Sequence, residues 1–311
     1  MILFPRLQLI ELEDLPWFPS WIREYAHLLL AQVWRTKGLG KSTTTASQAC
    51  DILLEQLQLQ DSSSSTKGED ISSFVFVDAC AGAGGPTPIL ERTLNSKLQS
   101  RGCQPVQFVL ADLYPHLDTW RQIVKRSECI SYIEKPVDAT RTVKYLPDGE
   151  RKKECRMFNL CFHHFDDDSA RKVLRSAVKG ADAFVIFELT HRTISALLNT
   201  TLVVLGTLLT TLHWFWHSPL HMVFTYIIPI IPLFFAWDGY VSCIRGRTER
   251  ELRALIYDRR RSGGQHANGV DDDDDEVDLS EWEFRSGEKL VLPPFGYLYW
   301  FVGVKRSSRR S

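Results

Sequence analysis

Five short apolar runs separated by helix-length stretches constrain this chain more than any other feature. They are "FVFVD" (74–78), "VQFVLAD" (106–112), "ISYIEK" (130–135), "CRMFNLCF" (155–162) and "AFVIFEL" (183–189). Most read as continuous apolar stretches, the pattern of strands buried on both faces. The intervening stretches near 87–101, 116–127 and 168–179 read as helices. Strands alternating with helices require right-handed crossovers, and therefore a parallel sheet. Two later runs, "EWEFRSG" and "GYLYWFVGVKR", read as closing strands.

The first run ends in Asp78 and passes into "ACAGAGGPTP", a loop almost without side chains. Glycines there let the backbone pass close to a ligand or take a tight turn. Pro86 and Pro88 suit a helix start, where the amides have no intrahelical partner. A dinucleotide fingerprint needs a third glycine three residues after Gly84, and Thr87 stands there instead. A nicotinamide-dependent reductase is thereby disfavoured.

The stretch resembles the first motif of the class I S-adenosylmethionine-dependent methyltransferases, an acid followed by a glycine-rich loop. Asp78, Ala79, Gly82 and Gly84 match it, with Cys80 in place of the first glycine. Four further matches follow in family order. Asp112 in "VLADLYP" matches the acid that accepts both ribose hydroxyls, a task suited to a carboxylate because it takes two charge-assisted hydrogen bonds. Asp138 and Ala139 in "PVDAT" match the position that holds the adenine. "FNLCFHHFDDDSARKVL" matches the fourth motif, and "AFVIFELTHRT" the fifth strand with its acidic end. The resemblance covers residues 74–192. It implies a Rossmann-like α/β fold, a seven-stranded, mostly parallel sheet with helices on both faces and its last strand antiparallel, with S-adenosyl-L-methionine as cofactor; the apolar insertion would lie between strands five and six. A further stretch, "IPIIPLFFAWDGYVSCIRGRTERELRAL", resembles a segment of a poorly characterised branch of the family and names no substrate.

Methyl transfer is an in-line displacement, so an enzyme of this kind mainly positions its reactants. A hydroxyl or acidic carbon also needs a base, and histidine titrates in the right range. His164 and His163, at the end of the fourth strand, are the catalytic candidates, with Glu188 and His191 at the end of the fifth as second candidates. The competing reading gives one histidine to capping the next helix or packing under the cofactor. No metal site is expected.

No Asp, Glu, Lys or Arg occurs between Arg192 and Asp238. The first half of that segment has the roughly 20 apolar residues that cross a bilayer. The second is broken by Pro229 and Pro232, as in a kinked or partial span. Two readings stay open, a membrane insertion or an apolar cap over the substrate pocket. Trp237 and Asp238, at its border, suit either. The N-terminus is apolar but interrupted by Arg6, Glu11, Glu13 and Asp14, unlike a signal peptide. Net charge is -1, which gives no field to attract nucleic acid. Seven cysteines without metal-knuckle or redox spacing read as reduced thiols.

The expected organisation is a helical N-terminal extension (1–60), a linker (61–70), the cofactor-binding core (71–192), the apolar helical insertion (193–237) and a helix (238–261). An acidic disordered loop (262–278) and the closing strands (279–305) follow. The expected function is methylation of a lipophilic small molecule, O-methylation being favoured, by a membrane protein whose catalytic domain faces the cytosol. The alternatives are a cytoplasmic location and a non-catalytic membrane-attached protein that keeps the fold for binding or scaffolding.

Overall fold

The computed structural model describes residues 2–58, 71–141, 145, 152–258 and 278–306. The expected linker at 61–70, and the expected acidic loop apart from Asp278, lie outside the described residues. The helices are α1 (Ser20–Arg35), α2 (Thr45–Gln58), α3 (Thr87–Ser100), α4 (Leu117–Val124), α5 (Asp167–Gly180), α6 (Ile194–Trp214), α7 (Pro219–Met222), α8 (Ile230–Arg245) and α9 (Glu249–Tyr257). The strands are β1 (Phe74–Asp78), β2 (Gln107–Leu110), β3 (Ile130–Tyr132), β4 (Lys153–Asn159), β5 (Ala183–Glu188), β6 (Trp282–Leu292) and β7 (Gly296–Lys305).

All seven strands join one sheet in the order β3-β2-β1-β4-β5-β7-β6. The first five are parallel, with Asp78 opposite Leu110 on one side and Met157 on the other, and Asn159 opposite Phe187. Only residues 293–295 join β6 to β7, far too short for a parallel crossover, so these two run antiparallel. The Lys305 amide donates to the Asp182 carbonyl at 2.8 Å, which sets the end of β7 against the start of β5. β7 is therefore the reversed strand.

Local sequence explains most of these elements. Every residue of β1 and β5 is buried, as continuous apolar runs under two helical layers require. Ala170, Val173, Leu174, Ala177 and Val178 line the inner face of α5 at helical spacing. Asp166 caps α5 by accepting from the Ser169 amide at 2.7 Å, a contribution of about 1 kcal/mol. Thr248 and Glu251 form a reciprocal capping box at the start of α9. The fourth strand stops at Asn159, short of the expected Phe162, because Leu160 takes a left-handed φ of 56°. β6 runs five residues beyond the expected Gly287, to Leu292.

The chain divides into two compact units. One comprises Cys50–Phe187, Thr248–Gly287 and Trp300–Ser311. Its core is aromatic at the β5 end, where Phe184 lies 5.9 Å from Trp282, 6.2 Å from Phe284 and 6.0 Å from Phe301. A Cβ on Gly303 would stand 2.3 Å from the Phe184 ring, so glycine makes room for that cluster. Inside β4, the buried Arg156 guanidinium pairs with Glu154 at 2.6 Å, donates to Ser176 at 2.8 Å and lies 4.8 Å from the Tyr145 ring. Pairing is the condition on which a charge is kept in a core.

The other unit comprises Met1–Ala49, Glu188–Arg247 and Glu288–Tyr299, and it is helical apart from the turn end of the β6–β7 hairpin. Around an apolar core of Phe18, Ile22, Ala26 and Phe234, the polarity of α6 is inverted. Thr200, Thr207 and Thr211 of α6 face inward, while Leu198, Leu202, Leu205, Leu209 and Leu212 form an exposed stripe. Tyr25 of α1 donates to the Thr207 carbonyl at 3.2 Å and meets the Thr211 hydroxyl at 3.0 Å. α6 and α8 cross closely at a glycine, since a Cβ on Gly239 would stand 2.7 Å from Thr200. The apolar arm from Pro219 bends by 71° at the Ile227–Ile230 break, beside Pro229, and continues past Trp237 to Arg245. Asp238 is turned to the N-terminal segment. It accepts the Leu12 and Glu13 amides at 2.8 Å each, and Trp237 donates to the Ile10 carbonyl at 3.0 Å. Arg245 pairs with Glu11 and Asp14 at 3.3 and 2.9 Å.

Candidate active site

The carboxyl ends of β1, β2 and β4 carry the candidate residues, the edge where open α/β sheets bind ligands. Asp78 closes β1 and is 1% exposed. Its Oδ2 accepts from the Thr87 hydroxyl at the start of α3, and from Asn159 Nδ2 at 3.2 Å. Burial pushes the Asp78 carboxyl up to about 6. The Cys80 amide also donates to this carboxylate, and among the described residues Oδ1 of Asn159 is buried without a hydrogen-bond partner. One buried acceptor, Asn159 Oδ1, therefore stands beside the Asp78 carboxylate without a donor among the described residues.

The loop itself is tied at several points. Ala79 donates to the Met157 carbonyl at 3.2 Å, Ala81 to Ala111 at 3.0 Å and Gly84 to Ala81 at 2.7 Å. Gly84 has a φ of +107°, and a Cβ there would stand 2.4 Å from Ile123. Only glycine fits on both counts. Gly82 has a φ of +50° and faces open space, where a Cβ would meet nothing within 4 Å. Its carbonyl accepts from the indole of the fully buried Trp120 at 2.8 Å.

Asp112 is fixed to the same loop. One carboxylate oxygen accepts the Gly82 amide and the other the Tyr114 amide, both at 2.8 Å. Each oxygen keeps acceptor capacity for a further donor, which is what a diol requires. The Asp112 carbonyl accepts from Val137 at 2.9 Å, which leads to Asp138. Asp138 accepts from the Thr140 amide at 2.9 Å and hydroxyl at 2.6 Å, with Arg141 3.6 Å away. Burial would raise its carboxyl, but Thr140 and Arg141 together hold it below the ordinary range. Ala139 is buried in the same apolar cluster as Ala79 and Val137.

His163 and His164 follow β4 in a single helical turn at Phe162–His164, their ring centroids 4.3 Å apart. His163 is buried and His164 half-buried. Neither caps α5; Asp166 does. Glu188, the last residue of β5, is buried and belongs to the helical unit, as does His191, whose ring stacks on Tyr299 at 4.6 Å.

Asp78, Ala79, Gly82, Gly84, Asp112, Asp138 and Ala139 thus fall on one hydrogen-bonded stretch of the sheet edge and the loops that follow it. Sequence reasoning overlooked Asn159, Trp120 and Tyr114, and took Thr87 only as a missing glycine. Asn159 left one signal, a lone amide inside an apolar strand. Nothing local marks Trp120 or Tyr114.

No family model and no curated protein matches the chain. Among solved structures, the magnesium protoporphyrin IX methyltransferase ChlM of Synechocystis PCC 6803 with bound SAM aligns over 96% of this chain and 99% of its own, at 9% identity and a TM-score of 0.41. The CurJ carbon methyltransferase aligns over 84% of this chain and 54% of its own, at 10% identity and a TM-score of 0.42. A LepI variant in complex with SAH and a substrate analogue aligns over 76% and 44%, at 14% identity and a TM-score of 0.40. The chain spans about half the length of CurJ and less than half that of LepI. The dinucleotide-binding order 3-2-1-4-5-6 differs from the sheet here by one reversed strand set between the fifth and sixth. With that strand, and with acids closing β1 and following β2, the chain has the fold of the class I S-adenosylmethionine-dependent methyltransferases.

Proposed function

We propose that the protein is an S-adenosylmethionine-dependent methyltransferase acting on a lipophilic small molecule, attached to a membrane through its helical unit. The observation that carries the cofactor reading is Asp112, whose two oxygens are oriented by the Gly82 and Tyr114 amides and keep room for two more donors. The Oδ1 of Asn159, without a donor among the described residues, suits a ligand bearing N–H groups. Asp112 would hold the ribose, Asp138 and Ala139 the adenine end, and Gly82 and Gly84 would let the backbone approach the methionine end. S-adenosylmethionine, when bound, supplies an electrophilic methyl group on a sulfonium.

The chain's own contribution is positioning and, for a hydroxyl substrate, removal of a proton. An imidazole nitrogen of His164 or His163 would accept it, with Glu188 as second candidate. Asp112→Ala is expected to weaken S-adenosylmethionine binding by about 1.5–3 kcal/mol, the scale of hydrogen bonds to a charged group. Calorimetry reads this directly, and unchanged affinity in a folded variant would remove Asp112 from the ribose site.

The membrane reading is supported by the inverted polarity of α6 and by its length. Its 21 residues extend about 31 Å at ~1.5 Å each, against about 30 Å for a bilayer core. Inward threonines and outward leucines are the arrangement expected where lipid, not water, is the solvent. An apolar surface of that kind also favours a lipophilic substrate. Carbonate extraction is the test: protein left in the membrane pellet supports the span, and release without detergent removes it while leaving the fold untouched.

A further inference from the structure

Between α1 and α2 the chain makes a tight turn at 37–41, "KGLGK", closed by an antiparallel bridge between Lys37 and Thr44. Lys41 donates to the Gly38 carbonyl at 2.8 Å, and Gly40 takes a φ of +70°. The turn is pressed against the β6–β7 connection, since a Cβ on Gly38 would stand 2.4 Å from the Val291 oxygen and 2.5 Å from Pro293. That connection also meets α6 near its start, where a Cβ on Gly296 would stand 2.8 Å from Asn199 Oδ1. At the tip of this braced turn, Leu39 is 84% exposed, the highest value of any large apolar side chain among the described residues.

In sequence, its nearest charged neighbours are all basic. From Tyr25 to Cys50 the sequence carries Arg35, Lys37 and Lys41 and no acid. Arg35 and Lys37 are exposed and Lys41 half-exposed. Among the described residues no carboxylate pairs with any of the three. An exposed leucine set between two lysines matches an anionic lipid interface, where the apolar tip enters the acyl boundary and the ammonium groups meet headgroup phosphates. A nucleic acid would call for aromatic stacking, which this turn does not offer.

We propose that the turn at 37–41 is an anchor for an anionic phospholipid surface, with Leu39 seated in the acyl boundary and Lys37 and Lys41 on headgroup phosphates. The proposal rests on the membrane attachment argued above and adds a lipid-charge requirement to it. The test uses the full chain reconstituted in phosphatidylcholine vesicles with or without phosphatidylserine. A fluorescent residue introduced by stop-codon suppression replaces Leu39, Leu209 in the exposed stripe of α6, or Arg126, exposed in the other unit.

Shallow nitroxide lipids are expected to quench position 39, more strongly with phosphatidylserine, and Lys37→Glu with Lys41→Glu is expected to abolish that difference. Deep nitroxide lipids should quench position 209 in both vesicles, and position 126 should stay unquenched. Position 39 unquenched, or indifferent to lipid charge, while 209 is quenched would overturn the anchor and leave the span standing. If instead its emission shifts only with protein concentration, the turn is a contact between copies, and the anchor is again overturned. Position 209 unquenched would remove the span, and sedimentation with anionic vesicles then decides the anchor. There a loss of more than about 10-fold on the double charge reversal supports it, each lysine counting roughly 5-fold, and no loss overturns it.

Discussion

The sheet unit and helix α6 of the helical unit divide buried from exposed side chains in opposite ways. In the sheet unit Phe184, Leu174 and Val173 are inside, and charged residues such as Asp168 and Arg126 face water. In the helical unit Thr207 and Thr211 are wholly buried while Leu209, on the same helix, is 74% exposed. The contrast fits the membrane attachment proposed above: the hydroxyls turn inward to partners inside, and the leucines turn outward as they would toward an apolar surround. The charges of the helical unit obey the same logic. Asp238 and Arg245 are buried and matched to backbone amides and to acids of the N-terminal segment. A charge held in an apolar arm is expected to be partnered in this way.

The largest expected effect concerns the chemistry of the sheet unit alone. If His164 or His163 takes the substrate proton, replacing it with Ala should lower turnover by roughly 10²–10⁴-fold with cofactor affinity nearly unchanged. Single-turnover assays with lipophilic phenols or acids read the first quantity and calorimetry the second. Near-normal turnover in both single variants and the double variant would leave positioning as the whole of the catalysis.

A matched pair of leucines breaks or sharpens the polarity contrast. Leu174→Ala in the sheet unit should cost about 2–5 kcal/mol of stability in any medium, because it opens a cavity in a packed core. Leu209→Arg should cost about 2.5–3.5 kcal/mol of membrane insertion, yet in water a surface substitution of this kind stays within about 0.5 kcal/mol. Chemical unfolding in detergent and membrane fractionation measure the two. Unchanged membrane partitioning of Leu209→Arg would mean that the leucine stripe faces something other than lipid.

The smallest effect is a pH dependence belonging to the sheet unit. The Asp78 carboxyl stands at about 6 in the folded chain because it is buried. An unfolded carboxyl of this type titrates near 3.9, so the folded state holds the proton more tightly and binds more of it between the two values. Stability contributed by this group is therefore greatest at low pH and falls as pH rises from about 4 to about 6, by at most ~3 kcal/mol. Asp78→Asn should remove that slope. Denaturant midpoints of parent and variant, compared at the two ends of the window, check it, and parallel profiles would deny Asp78 the shift.

Much of this was legible in the residues because the information is local. Periodicity marked all seven strand positions, and the acids ending or following β1, β2 and β3 stand at fixed offsets from apolar runs. Asp166 before an amphipathic run and Thr248 three residues before Glu251 are likewise local signals, since a cap reaches only its own first turn. Tertiary structure decided the rest. That the last strand runs reversed was implied by the family resemblance alone, and its place between β5 and β6 depends on which edge the hairpin meets. Asn159 joins Asp78 and Thr87 from 81 and 72 residues away, across neighbouring strands that no window spans. The inward turn of the α6 threonines was equally hidden. Composition reports that the segment is apolar, but the face that looks inward is chosen by what packs there, namely Tyr25 and Gly239.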